Sequence, residues 1–261
     1  SIRMVELYDQ ARALFAQNMN LEALSSAEDG LKLAMRIDQV SYEISLLEII
    51  GDIFSSTGQH ANSIPYYLRR ANLLEIKEDT ARLPKAYEKI ALAYQHEKVF
   101  EKELEYHTKS YDMLDKDNGV KLLQVKELMA LAAFRDRQMD VAKKHFIDLT
   151  EKYPGKGNDW LRSKQYLIKV FDANSAYDSA LICCEELLWV YEERSDVEQI
   201  FRLQNNIGYY QTLLGDFEGA SGSYINAIES GIAASADPRD VALMMTNAGV
   251  SFQNMEERND A

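Results

Sequence analysis

Residues 205–227 read NNIGYYQTLLGDFEGASGSYINA, and this stretch predicts two helices joined by a tight turn. Gly208 falls in the middle of the first helix, where glycine costs about 1 kcal/mol relative to alanine. Its presence there indicates that another helix crosses close to it. Gly215 ends the first helix, and Ala220 and Tyr224 share one face of the next helix at i, i+4 spacing. The pattern is typical of two antiparallel helices in close contact.

The same spacing recurs along the whole chain. The positions equivalent to Gly208 follow one another at intervals of 38 to 41 residues and are Ala11, Gly51, Ala91, Ala130, Ile168 and Gly249. Twelve residues after the first six anchors in chain order stand Ala23, Ser63, Glu103, Ala142, Ala180 and Ala220. A fixed period of about 40 residues, with one helix pair in each period, indicates a helical repeat protein.

The residues that carry this period resemble the tetratricopeptide repeat. They are Gly51 with Phe54 and Gly58 in the second repeat, and Gly208 with Gly215, Phe217, Ala220, Tyr224 and Ala227 in the sixth. The resemblance covers essentially the whole chain and implies an all-α, right-handed superhelical solenoid of antiparallel helix pairs. The period exceeds the common length of about 34 residues. In this respect the chain resembles the long-period repeats of bacterial signalling regulators and of some scaffold proteins.

We expect a single array of about six and a half repeats. Their approximate bounds are 1–38, 39–79, 80–118, 119–155, 156–195, 196–236 and a partial repeat at 237–261. The third helix pair is predicted at 81–98 and 101–116, and Pro65 is expected in the first turn of its helix, where a missing N–H is tolerated. The bulky Ile168 predicts a weaker interface or a bend in the fifth repeat.

The last predicted helix, 238–256, lacks a partner helix. It is either a cap on the array or part of a longer protein, and we favour the second interpretation. A kinase, cyclase or transcription-factor domain would then follow Ala261. An exposed apolar face on this helix would also favour a homodimer through it.

Composition narrows the range of partners. The net charge of −13 argues against nucleic acid and against an anionic membrane surface. Residues 1–120 carry a net charge of −6, residues 121–174 a net charge of +4 and residues 175–261 a net charge of −11. The basic middle would suit an acidic peptide there, but ordinary surface variation is the interpretation that we favour.

Two features of the sequence concern the cellular compartment, namely its hydropathy and its cysteines. No apolar run approaches the roughly 20 residues of a membrane-spanning helix. We expect a cytoplasmic location, with the periplasm as the alternative if a signal peptide has been removed before Ser1. The adjacent Cys183 and Cys184 are poorly placed to form a disulfide with each other and are expected to pack in the core.

No motif predicts catalysis. The four histidines lie in different repeats, and neither a zinc-binding spacing nor a Gly-x-Ser-x-Gly turn occurs. Lys156 stands between two glycines but lacks the spacing of a phosphate-binding loop. We therefore expect a chain that is not an enzyme, with no catalytic residue, no metal and no cofactor.

The resemblance implies a groove lined by the first helix of each pair. Its positions lie six, three and two residues before each anchor and one and four residues after it. The candidate peptide-binding residues are Arg162, Gln165, Tyr166, Lys169, Arg202, Asn205, Asn206, Tyr209 and Asn247. Asn206 and Asn247 occupy the position where many peptide-binding arrays place an asparagine, whose carboxamide both donates to and accepts from a peptide backbone. Lysine and arginine beside it bind carboxylates.

The chaperone-binding members of the family carry a carboxylate clamp of lysine, asparagine and arginine that this chain does not match. The corresponding residues in the first three repeats are Tyr8, Arg12, Ile49, Lys85 and Lys89. The sequence thus predicts a non-enzymatic module that binds a protein or peptide, as the regulatory or sensory region of a larger bacterial signalling protein. A free-standing adaptor or scaffold is the alternative.

Overall fold

A computed structural model describes residues 2–259, with side chains described as far as residue 256. This part of the chain forms thirteen α-helices and no strand. The helices are α1 (Ile2–Ala16), α2 (Asn20–Arg36), α3 (Val40–Ser56), α4 (His60–Ile76), α5 (Leu83–His96), α6 (Phe100–Met113), α7 (Gly119–Arg135), α8 (Met139–Lys152), α9 (Asn158–Ala173), α10 (Tyr177–Glu193), α11 (Val197–Leu213), α12 (Phe217–Ala233) and α13 (Pro238–Asn259). They divide into two compact units, Ser1–Gln138 and Met139–Ala261.

In the first unit, consecutive helices from α1 to α7 pack against one another. Gly51 on α3 lies directly under the ring of Tyr67 on α4, so closely that no side chain fits there. Apolar side chains on both faces of α3, including Leu46 and Ile50, are fully buried between the helices before and after it. The buried glycine therefore allows the close approach of the two helices that its position predicted.

In the second unit, α9 packs on α10, α10 on α11, α11 on α12 and α12 on α13. A methyl group added to Gly208 on α11 would lie 2.8 Å from the ring of Tyr224 on α12. Cys183 and Cys184 are free and buried, as the sequence predicted. Cys184 holds the position sixteen residues after Ile168 that Tyr224 holds after Gly208. In the fifth repeat the first residue of this pair is large and the second small. In the sixth repeat the first is a glycine and the second carries a large ring.

Most helices end on a residue in the left-handed conformation. The residues with positive φ are Asn18, Asp38, Gly58, Glu78, Lys98, Arg137, Gly155, Ser175, Ser195, Gly215 and Ser235. After Gly58, the amide of Gln59 donates a 2.8 Å hydrogen bond to the carbonyl of Phe54, five residues back, which closes the end of α3. From residue 18 to 98, and again from 175 to 235, these residues are twenty apart. Gly58 and Gly215 were recognised in the sequence as helix ends, whereas the polar residues at the equivalent positions were not.

Two helix predictions are wrong in detail. Helices α5 and α6 are shorter than predicted, because Pro84 is at the start of α5 and the extended backbone of Leu114 ends α6. Pro65 is the sixth residue of α4, beyond the first turn. Its missing N–H therefore removes one hydrogen bond to the carbonyl of Ala61. Among the described residues, no helix combines the length and the apolar character needed to cross a bilayer.

Candidate functional site

The second unit contains a cavity between α9 and α11 that we call the groove cavity. Its volume is about 490 Å³. Five of the nine predicted groove residues line it, namely Gln165 and Lys169 from α9 and Arg202, Asn206 and Tyr209 from α11. Helical spacing explains the arrangement, because residues three and four apart on one helix face the same side.

A smaller hollow of about 260 Å³ lies between α11 and α13, and we call it the terminal hollow. Asn205 lines it, and Arg202 and Asn206 line it together with the groove cavity. Asn247 on α13 donates a 3.3 Å hydrogen bond from its amide nitrogen to the side-chain oxygen of Asn205. The predicted asparagines of α11 and α13 are thus adjacent.

Three predicted residues line neither space: Asn247, whose hydrogen-bond partner Asn205 does line the terminal hollow, Arg162 and Tyr166. Arg162, near the start of α9, pairs with Asp159 at 2.8 Å. The ring of Tyr166 stacks on Phe146 of α8, with centroids 5.2 Å apart and the ring planes 2° from parallel. The Lys169 ammonium, which does line the groove cavity, lies 4.9 Å from the centroid of the Tyr166 ring.

The groove cavity has both charges. Lys169 and Arg202 supply cations, and Arg202 also pairs with Glu198 on its own helix at 3.0 Å. Asp172 supplies a carboxylate at the same cavity, and Asp240 supplies one at the terminal hollow. Burial and the nearby Asp172 raise the pKa of Tyr210, so this phenol keeps its proton and remains a donor.

Among the charged residues of the site, the two acidic ones, Asp172 and Asp240, were not predicted from the sequence. Asp172 stands four residues after Ile168, a position that the repeat register itself assigns to the groove. The register would therefore have identified it. Asp240 lies in the first turn of α13, outside the register positions, and only the packing of α13 on α12 and α11 brings it to the hollow.

In the first unit, charged residues at groove positions of the repeat register pair with one another. Lys89 on α5 lies 2.6 Å from Asp52 and 2.8 Å from Glu48, both on α3. Glu48 also accepts a 2.9 Å hydrogen bond from the nearly buried Arg70. Although burial opposes it, Lys89 and Arg70 lower the pKa of Glu48. These residues connect neighbouring helices, and Lys89 is already bound to two carboxylates.

Two of the four histidines are in contact, although they lie in different repeats. The rings of His60 and His96 stack with centroids 3.8 Å apart, and burial and the neighbouring His96 lower the pKa of His60. Within the described part of the chain, no three metal-ligating side chains come together.

Comparison with solved structures places this arrangement in a known fold. The apo form of RapI is 13% identical and aligns over 99% of both chains with a TM-score of 0.54. The TPR-like repeats of a putative kinesin light chain from Podosopora anserina are 12% identical, over 74% of this chain and 97% of that one, with a TM-score of 0.55. Aspartyl phosphate phosphatase F from Bacillus subtilis is 15% identical, over 89% and 63%, with a TM-score of 0.51.

No protein-family model matches the chain, and no curated protein matches it in sequence. The solved structures and the paired packing together define the class: an all-α protein with the tetratricopeptide-repeat fold. Identities of 12 to 15% show the fold alone.

Proposed function

We propose that the second unit binds a short peptide segment in the groove cavity and the terminal hollow. The observation that carries the proposal is the convergence of Lys169, Arg202 and Asn206 on one open cavity of about 490 Å³. The carboxamide of Asn206 would hold the peptide backbone. Lys169 and Arg202 would bind a carboxylate, and Asp172 would bind an amino group or a basic side chain of the ligand.

A binding role also agrees with the fold that the chain shares with the matched structures. The matched structures are helical-repeat folds, and one of them bears the name of a phosphatase. At 15% identity that match concerns the fold alone, so we propose no catalytic activity. We place the chain in the regulatory or sensory part of a larger signalling protein, organised as a single repeat array. A free-standing adaptor remains the alternative.

The test is a selection of peptides from a randomised library on the wild-type chain, followed by calorimetric titration of the selected peptides. The double variant Arg202→Ala, Asn206→Ala is expected to weaken binding by at least about tenfold. Asn226→Ala, an exposed asparagine on α12, is the matched control and should bind as the wild type does. Selected peptides that bind the double variant with wild-type affinity would exclude this groove as the binding site.

A further inference from the structure

The outward face of α10 exposes two large apolar side chains. Ile182 is 56% exposed and Trp189 is 50% exposed. They lie seven residues apart, two helical turns, and therefore on the same side of the helix. Ile182 and the exposed Ile147 of α8 border a cavity of about 460 Å³, whose lining includes Leu167 and Phe171 of α9. A cavity lined by both apolar and polar side chains thus lies beside the exposed side of α10.

Trp189 is held in place although half of it is exposed. The ammonium of Lys156 lies 4.1 Å from the centroid of the Trp189 ring and 5.4 Å from that of Trp160. The carbonyl of Lys156 accepts a 2.6 Å hydrogen bond from Arg194, the residue that follows α10. Tryptophan is the residue type most enriched among the energetic anchors of protein interfaces. A tryptophan already fixed by a cation loses little entropy when a partner binds.

Carboxylates flank the two apolar side chains. Asp178, Glu185 and Glu193 are exposed on the same side of α10 as Ile182 and Trp189. Within the described part of the chain, none of these three carboxylates forms an ion pair. The only acid on this side that does is Glu186, which pairs with Lys164 of α9. Apolar anchors with a flanking row of unpaired acids are the complement of an amphipathic helix that carries basic residues beside its apolar stripe.

We propose that this α10 face, comprising Asp178, Ile182, Glu185, Trp189 and Glu193, docks a basic amphipathic helix of another protein. A second copy of the chain fits it poorly, because a symmetric contact would oppose the same carboxylates to one another. An anionic bilayer would be repelled for the same reason. The surface uses different side chains from the groove residues Lys169, Arg202 and Asn206, so the two proposals can be tested separately.

The probe is a labelled model helix of roughly 20 residues, with leucines along one stripe and lysines elsewhere, titrated by fluorescence anisotropy. Its matched control replaces every lysine by glutamate. The wild-type chain is expected to bind the lysine helix, and Ile182→Ser and Trp189→Ser should each weaken binding by at least about tenfold. Ile232→Ser, at a position 60% exposed on α12, should leave binding unchanged. The double variant Glu185→Lys, Glu193→Lys should reverse the preference toward the glutamate helix.

Three results would overturn the proposal. The first is equal binding of the lysine helix by the wild type and by both serine variants. The second is loss of binding in Arg202→Ala, Asn206→Ala, which would place the probe in the groove. The third is self-association of the wild type in sedimentation equilibrium that Ile182→Ser abolishes, since the occupant would then be a second copy. Unchanged thermal melting of the serine variants shows that they are folded, because the side chains removed are exposed.

Discussion

A single buried glycine sets how closely two helices approach in this protein. Gly208 was identified from its place in the middle of a predicted helix, and the ring of Tyr224 occupies the space that a side chain would need. The sequence predicted this contact because the cost of glycine in a helix interior requires a packing reason. It did not predict the stacking of His60 on His96, since nothing in the spacing of two residues 36 positions apart indicates it.

The first prediction concerns this glycine and a matched one. Gly208→Ala should lower the free energy of unfolding by about 1–3 kcal/mol, because the added methyl group meets a buried ring that has no room to move. Gly222→Ala, in the same unit, should raise it by up to about 1 kcal/mol, since an added methyl group there has no atom within 4 Å and only the helix preference changes. Urea unfolding measures both, and equal effects of the two changes would show that the repeat register is wrong.

The second prediction concerns a buried histidine. Burial, with the cations of Arg135 and Lys121 adding to it, lowers the pKa of His107 to about 4. The unfolded chain takes up this proton near pH 6.5. The contribution of His107 to stability is therefore complete above pH 6.5 and is lost as the pH falls from 6.5 toward 4.

His107→Phe removes this loss, and it places at residue 107 the ring that Phe146 provides sixteen residues after Ala130. Between pH 7.5 and pH 5, the variant should lose about 2 kcal/mol less stability than the wild type. Urea titrations at the two pH values measure the difference. The same loss in both proteins would mean that His107 accepts its proton in the folded state.

At the scale of the helix, the stability of the chain depends on the conformation of the residue that ends each helix. A left-handed residue closes most of them, and it is glycine at 58 and 215 but serine, lysine, glutamate or arginine at most equivalent positions. Helix ends were therefore predictable from the sequence where glycine supplies them. Lys98 takes this conformation after α5 without being glycine, so the C-terminal end of α5 was misplaced, whereas α6 ends on the extended backbone of Leu114.

Lys98→Gly should therefore stabilise the chain. A side chain in the left-handed region costs about 1–2 kcal/mol, and the greater freedom of glycine in the unfolded chain offsets part of the gain. We expect a net increase of about 0.5–1 kcal/mol in the free energy of unfolding. Lys32→Gly, in the interior of α2, is the control and should cost about 1 kcal/mol. A lower melting temperature for Lys98→Gly would contradict the conformation of residue 98.

At the scale of the whole molecule, the helices of each unit contact their neighbours in sequence and few others. Damage to one helix pair should therefore stay local. Gly51→Ala should speed amide hydrogen exchange within residues 2–138, and Gly208→Ala should speed it within residues 139–259. Peptide-resolved exchange measured by mass spectrometry separates the two regions. Faster exchange across the whole chain in either variant would mean that the two units unfold as one.

The residues of the groove were also predicted only in part from the sequence. The repeat register brought Gln165, Lys169, Arg202, Asn206 and Tyr209 to one cavity, because helical spacing fixes which side chains share a face. It could not reveal that Tyr166 stacks on Phe146, since that contact depends on how α8 packs against α9. Lys89 differs from Lys169 because it pairs with Glu48 and Asp52. This difference also follows from contacts between separate repeats.

Within each unit, helices contact mainly their neighbours in sequence, and this affects how the chain folds while it is being synthesised. A helix pair of about 40 residues leaves the ribosome within about 2–8 s at ordinary rates of translation. Its main docking surface is the pair made just before it, so each pair can settle as it emerges without waiting for distant segments. Within a unit, the nascent chain then exposes about one unpaired apolar helix face at a time, and its demand on chaperones during synthesis should be small.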